Sequence, residues 1–160
     1  MAPAGEKHDH AALMDSIYRG QKYIYDITRK YYLFGRDDLI RGLDCQPGDG
    51  VLEIACGTGR NLAKVQQAYP GTRLFGIDIS AEMLKSAQGK LGTKAILAPA
   101  DARQFDARAM LGRPTFERVI LSYSISMIPD WERAMRHAAT LVAPGGSLHV
   151  VDFGSYSARD

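Results

Sequence analysis

From Val51 to Phe153, short apolar runs alternate with stretches whose apolar positions recur every three or four residues. The first kind of pattern predicts buried strands and the second predicts helices. Strands are expected over Val51 to Ala55, Arg73 to Ile77, Lys94 to Ala98, Arg118 to Ser122 and Ser147 to Phe153. Between them, Asn61 to Tyr69 reads as a helix ended by Pro70-Gly71. Ser80 is a good N-cap for a helix whose apolar face begins at Met83 and Leu84. Gln104 to Leu111 reads as a short helix or an irregular segment. Asp130 to Val142 reads as a helix stopped by Pro144-Gly145-Gly146. Strands that alternate with helices pair in parallel through right-handed crossovers. Strands that are apolar throughout are covered on both faces. The expected architecture is an open α/β sheet, with ligands at the carboxyl ends of the strands near the switch in strand order.

The region before Val51 differs. Ala11 to about Gly42 is helical in pattern and rich in aromatics, broken at Gly20 and Gly35, and Pro47-Gly48-Asp49-Gly50 is a turn. Residues 1–10 look like a loose polar arm, and His8 and His10 there have no partner ligands nearby. The chain has 160 residues, 46% hydrophobic and 24% charged, which suits one soluble globular domain. Its formal charge of +2 is small and unclustered, so a polyanion partner such as nucleic acid is not expected. No apolar run approaches the roughly 20 residues needed to cross a bilayer. The N-terminus lacks the apolar stretch of a secretion signal, so a cytoplasmic location is expected. Cys45 and Cys56 fit no metal-ligand spacing and are expected to be a reduced pair, a disulfide being the alternative that spacing leaves open.

Candidate chemistry concentrates where the strands end. The first strand runs into Glu53-Ile54-Ala55-Cys56-Gly57-Thr58-Gly59-Arg60-Asn61. Gly57 and Gly59 permit close backbone approach, and the turn feeds a helix N-terminus. Leu62 stands where a dinucleotide fingerprint needs its third glycine, which argues against a nicotinamide-dependent reductase. Glu53 would suit a ligand bearing an ammonium group. Asp78, at the end of the second strand in Gly76-Ile77-Asp78-Ile79-Ser80, is placed to accept from both hydroxyls of a ribose. Asp101, in Ala100-Asp101-Ala102, either accepts from an adenine amine or caps the short helix after it. Met83 packs either on an adenine face or in the core.

Together these stretches resemble the class I S-adenosylmethionine-dependent methyltransferases. Val51 to Asn61 is similar to the family's first motif. Asp78 matches the acidic end of its second strand, and Asp101-Ala102 its adenine-contacting motif. Leu141 to Leu148 is similar to the turn into its fifth strand. The resemblance implies a Rossmann-like open parallel sheet of five strands, the last two of the usual seven being absent, with an N-terminal helical cap. It divides the chain into an arm and cap at 1–44 and an S-adenosylmethionine-binding domain at 45–160. The implied cofactor-binding residues are Glu53, Ala55, Gly57, Thr58 and Gly59 on the first motif, with Asp78, Ile79 and Met83 after the second strand. Asp101, Ala102 and Ser122 complete the set on the sheet. Glu53 would receive the methionyl ammonium, Asp78 the ribose hydroxyls and Asp101 the adenine amine. The implied cofactor is S-adenosyl-L-methionine, with S-adenosyl-L-homocysteine as product.

Met14 to Asp37 resembles the opening of bacterial betaine-lipid N-methyltransferases, which trimethylate the amine of diacylglyceryl-homoserine, with phosphatidylethanolamine N-methyltransferases close behind. That likeness implies a lipid or small-molecule amine as acceptor and peripheral contact with the inner membrane surface. Tyr18 and Tyr25 would surround the amine by cation–π contact, and Tyr25 and Arg36 are also candidate cofactor-binding residues, Arg36 pairing with the cofactor carboxylate. Core packing is the alternative for the tyrosines. Arg19, Lys22, Arg29 and Lys30 either touch anionic headgroups or form a solvated face. After the fourth strand, Tyr123 and Ser124 are the candidate catalytic residues, orienting the amine or relaying a proton, with loop capping as the alternative. Ser122 to Pro129 lacks the N/D-P-P-Y pattern of enzymes that methylate nucleic-acid bases. His149, inside the fifth strand, reads as structural. A non-catalytic module that keeps the nucleotide fold is the competing class.

Overall fold

The computed structural model describes residues 35–152. The chain divides into two compact units, Met1–Gly35 and Arg36–Asp160, and the described architecture is that of the second. A first helix, α1, covers 35–42 in its described part. The chain then alternates through β1 (Gly50–Ile54), α2 (Arg60–Ala68), β2 (Arg73–Asp78), α3 (Ala81–Leu91) and β3 (Ala95–Pro99). It continues through α4 (Ala107–Leu111), β4 (Phe116–Ser122), α5 (Trp131–Thr140) and β5 (Val142–Val151). The five strands form one sheet in the order β3-β2-β1-β4-β5, and every pairing is parallel.

Strand alternation sorts the core onto the two faces of the sheet. Val51, Leu74, Ala95 and Ile120 pack with Leu62 and Val65 of α2, Leu84 and Leu91 of α3, and Leu39 and Ile40 of α1. Leu52, Ile54, Phe75, Ile77, Val119 and Leu121 pack on the other side with Phe105, Leu111 and Ala138. Helices α2 and α3 therefore cover one face, and α4 and α5 the other. The change of face occurs between β1 and β4, and their carboxyl ends form the topological switch point. Residues 36–44 belong to the sheet's own compact unit, with Leu39, Ile40 and Leu43 buried in its core.

The local signals explain most boundaries. All five residues of β1 are buried. The Ser80 hydroxyl accepts from the Met83 N–H at 3.3 Å, capping α3 as its sequence predicts. Asp106, not Asp101, caps α4, its carboxylate accepting from the Ala109 N–H at 3.1 Å. One expectation fails. Pro144-Gly145-Gly146 does not stop a helix that runs to Val142, because α5 ends at Thr140 and β5 begins at Val142. The Pro-Gly-Gly segment lies inside β5 as an irregularity, where the register passes from Phe116↔Val142 to Arg118↔Ser147. Extra residues on one strand of a pair are accommodated by such a bulge.

Candidate active site

The carboxyl ends of β1, β2, β3 and β4 carry most of the predicted site residues to one edge of the sheet. The turn after β1 is built from the sequence outward. Ala55 has φ 58°, Gly57 has φ 56° and Gly59 has φ 82°. Left-handed backbone costs little for glycine and more for alanine, so Ala55 holds strain of the sort found at functional sites. A β-carbon on Gly57 would meet nothing within 4 Å, so this part of the turn borders open space. Gly59 faces inward, where a β-carbon would meet Leu91 Cδ1 at 3.0 Å. It serves as the left-handed N-cap of α2, without a side-chain cap.

Asp78 ties this turn to β2. Its Oδ2 accepts from the Gly57 N–H at 2.9 Å, and its Oδ1 accepts from the Ser80 N–H at 2.8 Å. The Cys56 N–H donates to the Ile77 carbonyl at 2.9 Å, and the Ala100 N–H donates to that of Asp78 at 3.0 Å. Each Asp78 oxygen retains a lone pair beyond these bonds. Beside it, Ile79 is 78% exposed and Met83 46% exposed. Apolar side chains this open, flanking a carboxylate, make a surface suited to a flat ring.

Glu53 lies under the turn and is 2% exposed. Its Oε2 accepts from Asn61 Nδ2 at 2.6 Å. Its Oε1 and the Oδ1 of Asn61 are buried and have no hydrogen-bond partner. Burial pushes the Glu53 carboxyl up to about 8, the Asn61 hydrogen bond opposing the shift and the Asp78 charge adding to it. Asn61 was not among the predicted site residues. Its spacing eight residues after Glu53, across a two-glycine turn, is the signal that could have found it.

The loop after β4 is held by β5. Tyr123 takes φ 51°, and its N–H donates to the Val151 carbonyl at 2.7 Å. Asp152 Oδ2 accepts from the Ile125 N–H at 2.8 Å and from that of Ser126 at 3.4 Å. Burial raises the Tyr123 phenol above its ordinary value, and the charge of Asp152 adds to the effect. The Ser122 and Ser124 hydroxyl oxygens are buried without partners. Asp152 is a second organising residue that sequence reasoning passed over. Its signal was an acid at a strand end, the same as for Asp78.

Asp101 stands after β3, is engaged by Arg103 and does not cap α4. Its Oδ2 pairs with Arg103 Nη2 at 2.8 Å, and its Oδ1 accepts from Arg103 Nε at 3.1 Å. Those bonds hold its carboxyl down at about 2. Ala102, next to it, packs against the α4–α5 side of the core. Arg36 lies in α1 with its Nε 3.9 Å from Asp37 Oδ1. Tyr18 and Tyr25, and the basic residues Arg19, Lys22, Arg29 and Lys30, lie outside the described residues, as do His8 and His10. His149 Nε2 lies 2.7 Å from Ser147 Oγ within β5. Cys45 and Cys56 are free and buried, and burial pushes their thiols up to about 11 and about 12. An open groove of about 600 Å³ is lined by Phe105, Asp106, Arg108, Pro114 and Leu141, and shares no residue with this cluster. Among the described residues no helix is long and apolar enough to cross a membrane.

The acceptor set suits a nucleoside that also carries an ammonium. It offers spare carboxylate lone pairs at Asp78, exposed apolar surface beside them, and unmet buried acceptors at Glu53 and Asn61. Comparison with known proteins points the same way. The family described as a methyltransferase domain matches residues 51–146. The chain is 29% identical over 150 residues to demethylmenaquinone methyltransferase of Corynebacterium urealyticum, covering 91% of this chain and 60% of that protein. It is 29% identical over 154 residues to the ubiquinone/menaquinone biosynthesis C-methyltransferase UbiE of Klebsiella pneumoniae, covering 92% and 61%. The chain thus spans about 60% of the length of these curated relatives. These relatives carry the names of quinone enzymes, where a lipid-amine enzyme was expected. Coclaurine N-methyltransferase, solved with N-methylheliamine and S-adenosylhomocysteine, shares the fold with a TM-score of 0.64 at 17% identity, over 74% of this chain and 35% of that one. Given a family match over more than half of its length, the chain belongs to the methyltransferase domain family, and its sheet has the Rossmann-like fold of the solved methyltransferase.

Proposed function

We propose that this chain binds S-adenosylmethionine along the β1–β2 edge and directs its methyl group to a hydrophobic small molecule presented at the loop after β4. The observation that carries the reading is Asp78. Its carboxylate clasps the Gly57 turn beside the exposed Ile79 and Met83, and leaves lone pairs for two ribose hydroxyls. Ala55, Gly57, Thr58 and Gly59 then lie along the methionyl arm and sugar. Ile79 and Met83 flank the adenine, with Asp101 and Ala102 at its edge. Ser122, Tyr123 and Ser124 border the acceptor. The bound cofactor supplies an electrophilic sulfonium methyl. The chain's own contribution is alignment and exclusion of water, effects that together reach roughly 7–11 kcal/mol in well-oriented reactions.

For the acceptor, a quinone-ring carbon is the reading supported by the names of the two curated relatives. A lipid headgroup amine, the diacylglyceryl-homoserine that becomes a betaine lipid, is the second reading. The tyrosine-rich stretch Met14 to Asp37 favours it. The deciding experiment incubates the protein with methyl-labelled S-adenosylmethionine and, in parallel, reduced demethylmenaquinone or extracted polar lipids, followed by thin-layer separation. Label in the quinone supports the first acceptor. Label in trimethylated homoserine lipid supports the second, and label in phosphatidylcholine intermediates its phosphatidylethanolamine variant. Cofactor binding with no transfer to any of these would make the chain a non-catalytic nucleotide-binding module.

A further inference from the structure

Among the described residues, Glu53 is the carboxyl group withdrawn furthest from solvent, at 2% exposure. A buried carboxylate needs a cation or several donors to remain charged. Glu53 has one donor, the Asn61 amide, and one oxygen with none. The groups around it do not favour a negative charge. Asp78 lies at the end of the neighbouring β2, and the Cys56 thiol lies in the turn. On β2 the register partner of Glu53 is Gly76, and on β4 it is Ile120. From α2 it meets the uncharged Asn61. No cation among the described residues acts on it. The acid therefore holds its proton in the free protein at neutral pH.

Two buried oxygens without partners, one on Glu53 and one on Asn61, would both accept from a donating ligand group once the acid is ionised. The Asp78 charge nearby favours a cation there. S-adenosylmethionine and its product each carry one such group off the sulfur, the ammonium of the amino-acid arm. We infer that Glu53 gives up its proton to solvent when this ammonium arrives, so that loading of the cofactor is coupled to release of one proton. The O–H bond of the Glu53 carboxyl breaks, the proton passes to buffer, and the new carboxylate accepts from the ammonium directly or through a water. No other reactant is needed. The inference rests on the cofactor reading above and adds a proton to it.

The pH dependence has a definite sign. Below about pH 8 the free protein carries the proton that the complex lacks, so affinity rises with pH. Above that, the ligand's own amine, with an ordinary α-amino value of about 7.7–8.0, begins to lose its proton and the balance turns to uptake.

The test is calorimetric titration with S-adenosylhomocysteine at pH 6.5, in phosphate and in Tris, whose ionisation enthalpies differ. The two heats give the number of protons exchanged. Release of close to one proton is expected. 5′-Methylthioadenosine, which has the adenosyl thioether but no ammonium, should bind with none released. Glu53→Gln should bind S-adenosylhomocysteine with no release, and its affinity should not change between pH 5.5 and 6.5, where the unaltered protein gains about tenfold per pH unit. Equal heats in the two buffers for the unaltered protein would overturn the inference and leave the cofactor reading standing, and that result needs no variant. Release that persists in Glu53→Gln, or that matches with methylthioadenosine, would also overturn it. Failure of both ligands to bind would remove the cofactor reading and the inference together.

Discussion

Burying a carboxyl group where no cation meets it makes folding itself sensitive to pH at the level of one side chain. The Glu53 carboxyl rises from an ordinary 4.5 to about 8 in the folded chain. Below pH 4.5 both folded and unfolded chains hold its proton, so it costs nothing. Between 4.5 and 8 the unfolded chain releases the proton and the folded chain keeps it, so stability falls as pH rises. Glu53→Gln removes that loss. Urea unfolding of the two proteins should show the variant gaining on the original by up to about 1.4 kcal/mol per pH unit between pH 5 and 8. Parallel stability curves would show that the site admits enough solvent to ionise freely. Asp78 fails differently. Asp78→Ala leaves the Gly57 and Ser80 N–H groups without their acceptor. That costs about 1–3 kcal/mol of stability. Affinity for S-adenosylhomocysteine should drop at least about tenfold as well, since a charged hydrogen bond contributes roughly 1.5–3 kcal/mol. Asp101→Ala is the informative contrast. Its half-buried carboxylate is already engaged by Arg103, so its loss should weaken binding far less in the same titration.

Among the elements, what was legible and what was not divide along one physical line. β1, β2 and the Ser80 cap declare themselves within a few residues, through apolar runs and a hydroxyl before a helical face. They stand where the pattern puts them. Candidate residues at strand ends were legible for the same reason, because Glu53 and Asp78 sit at the ends of runs that can be read directly. Interactions that link distant stretches were not. Asp152 joins the loop after β4 across 27 residues. The Arg118 guanidinium reaches the Asp44 carbonyl at 2.9 Å across 74. No local pattern encodes such pairs. The Pro144-Gly145-Gly146 stretch shows how local punctuation misleads. It reads as a helix stop, yet the parallel partner β4 draws it into the sheet as a bulge. Its glycine is required by contact. A β-carbon on Gly146 would lie 2.6 Å from the Glu117 carbonyl oxygen and 2.9 Å from that of Ala143. Both are backbone atoms that cannot rotate away. Gly146→Ala should therefore cost about 1–3 kcal/mol, toward the upper end. Amide hydrogen exchange should quicken along β5 and leave β2 and β3 unchanged. Uniform quickening across the sheet would mean that β5 does not open as a separate unit.

Across the whole molecule, two aspartates do the same work on either side of the switch point. Asp78 at the end of β2 holds the turn after β1, and Asp152 following β5 holds the loop after β4. The two loops leave neighbouring strands, β1 and β4, one on the proposed cofactor side and the other on the acceptor side. Each carries a non-glycine residue in left-handed backbone, Ala55 and Tyr123. A ligand that bridges β1 and β2 should stiffen the first loop without needing the second. At a hundredfold excess over its dissociation constant, S-adenosylhomocysteine should stabilise the fold by about 2.7 kcal/mol. For a chain of this size that corresponds to a melting temperature higher by roughly 5–10 °C. Exchange protection should concentrate on residues 55–61 and 78–83, while residues 123–128 change little until an acceptor is added. Protection that appears equally in both loops with the cofactor product alone would show them to be one mechanical unit, so that the donor half would preset the geometry of the acceptor half.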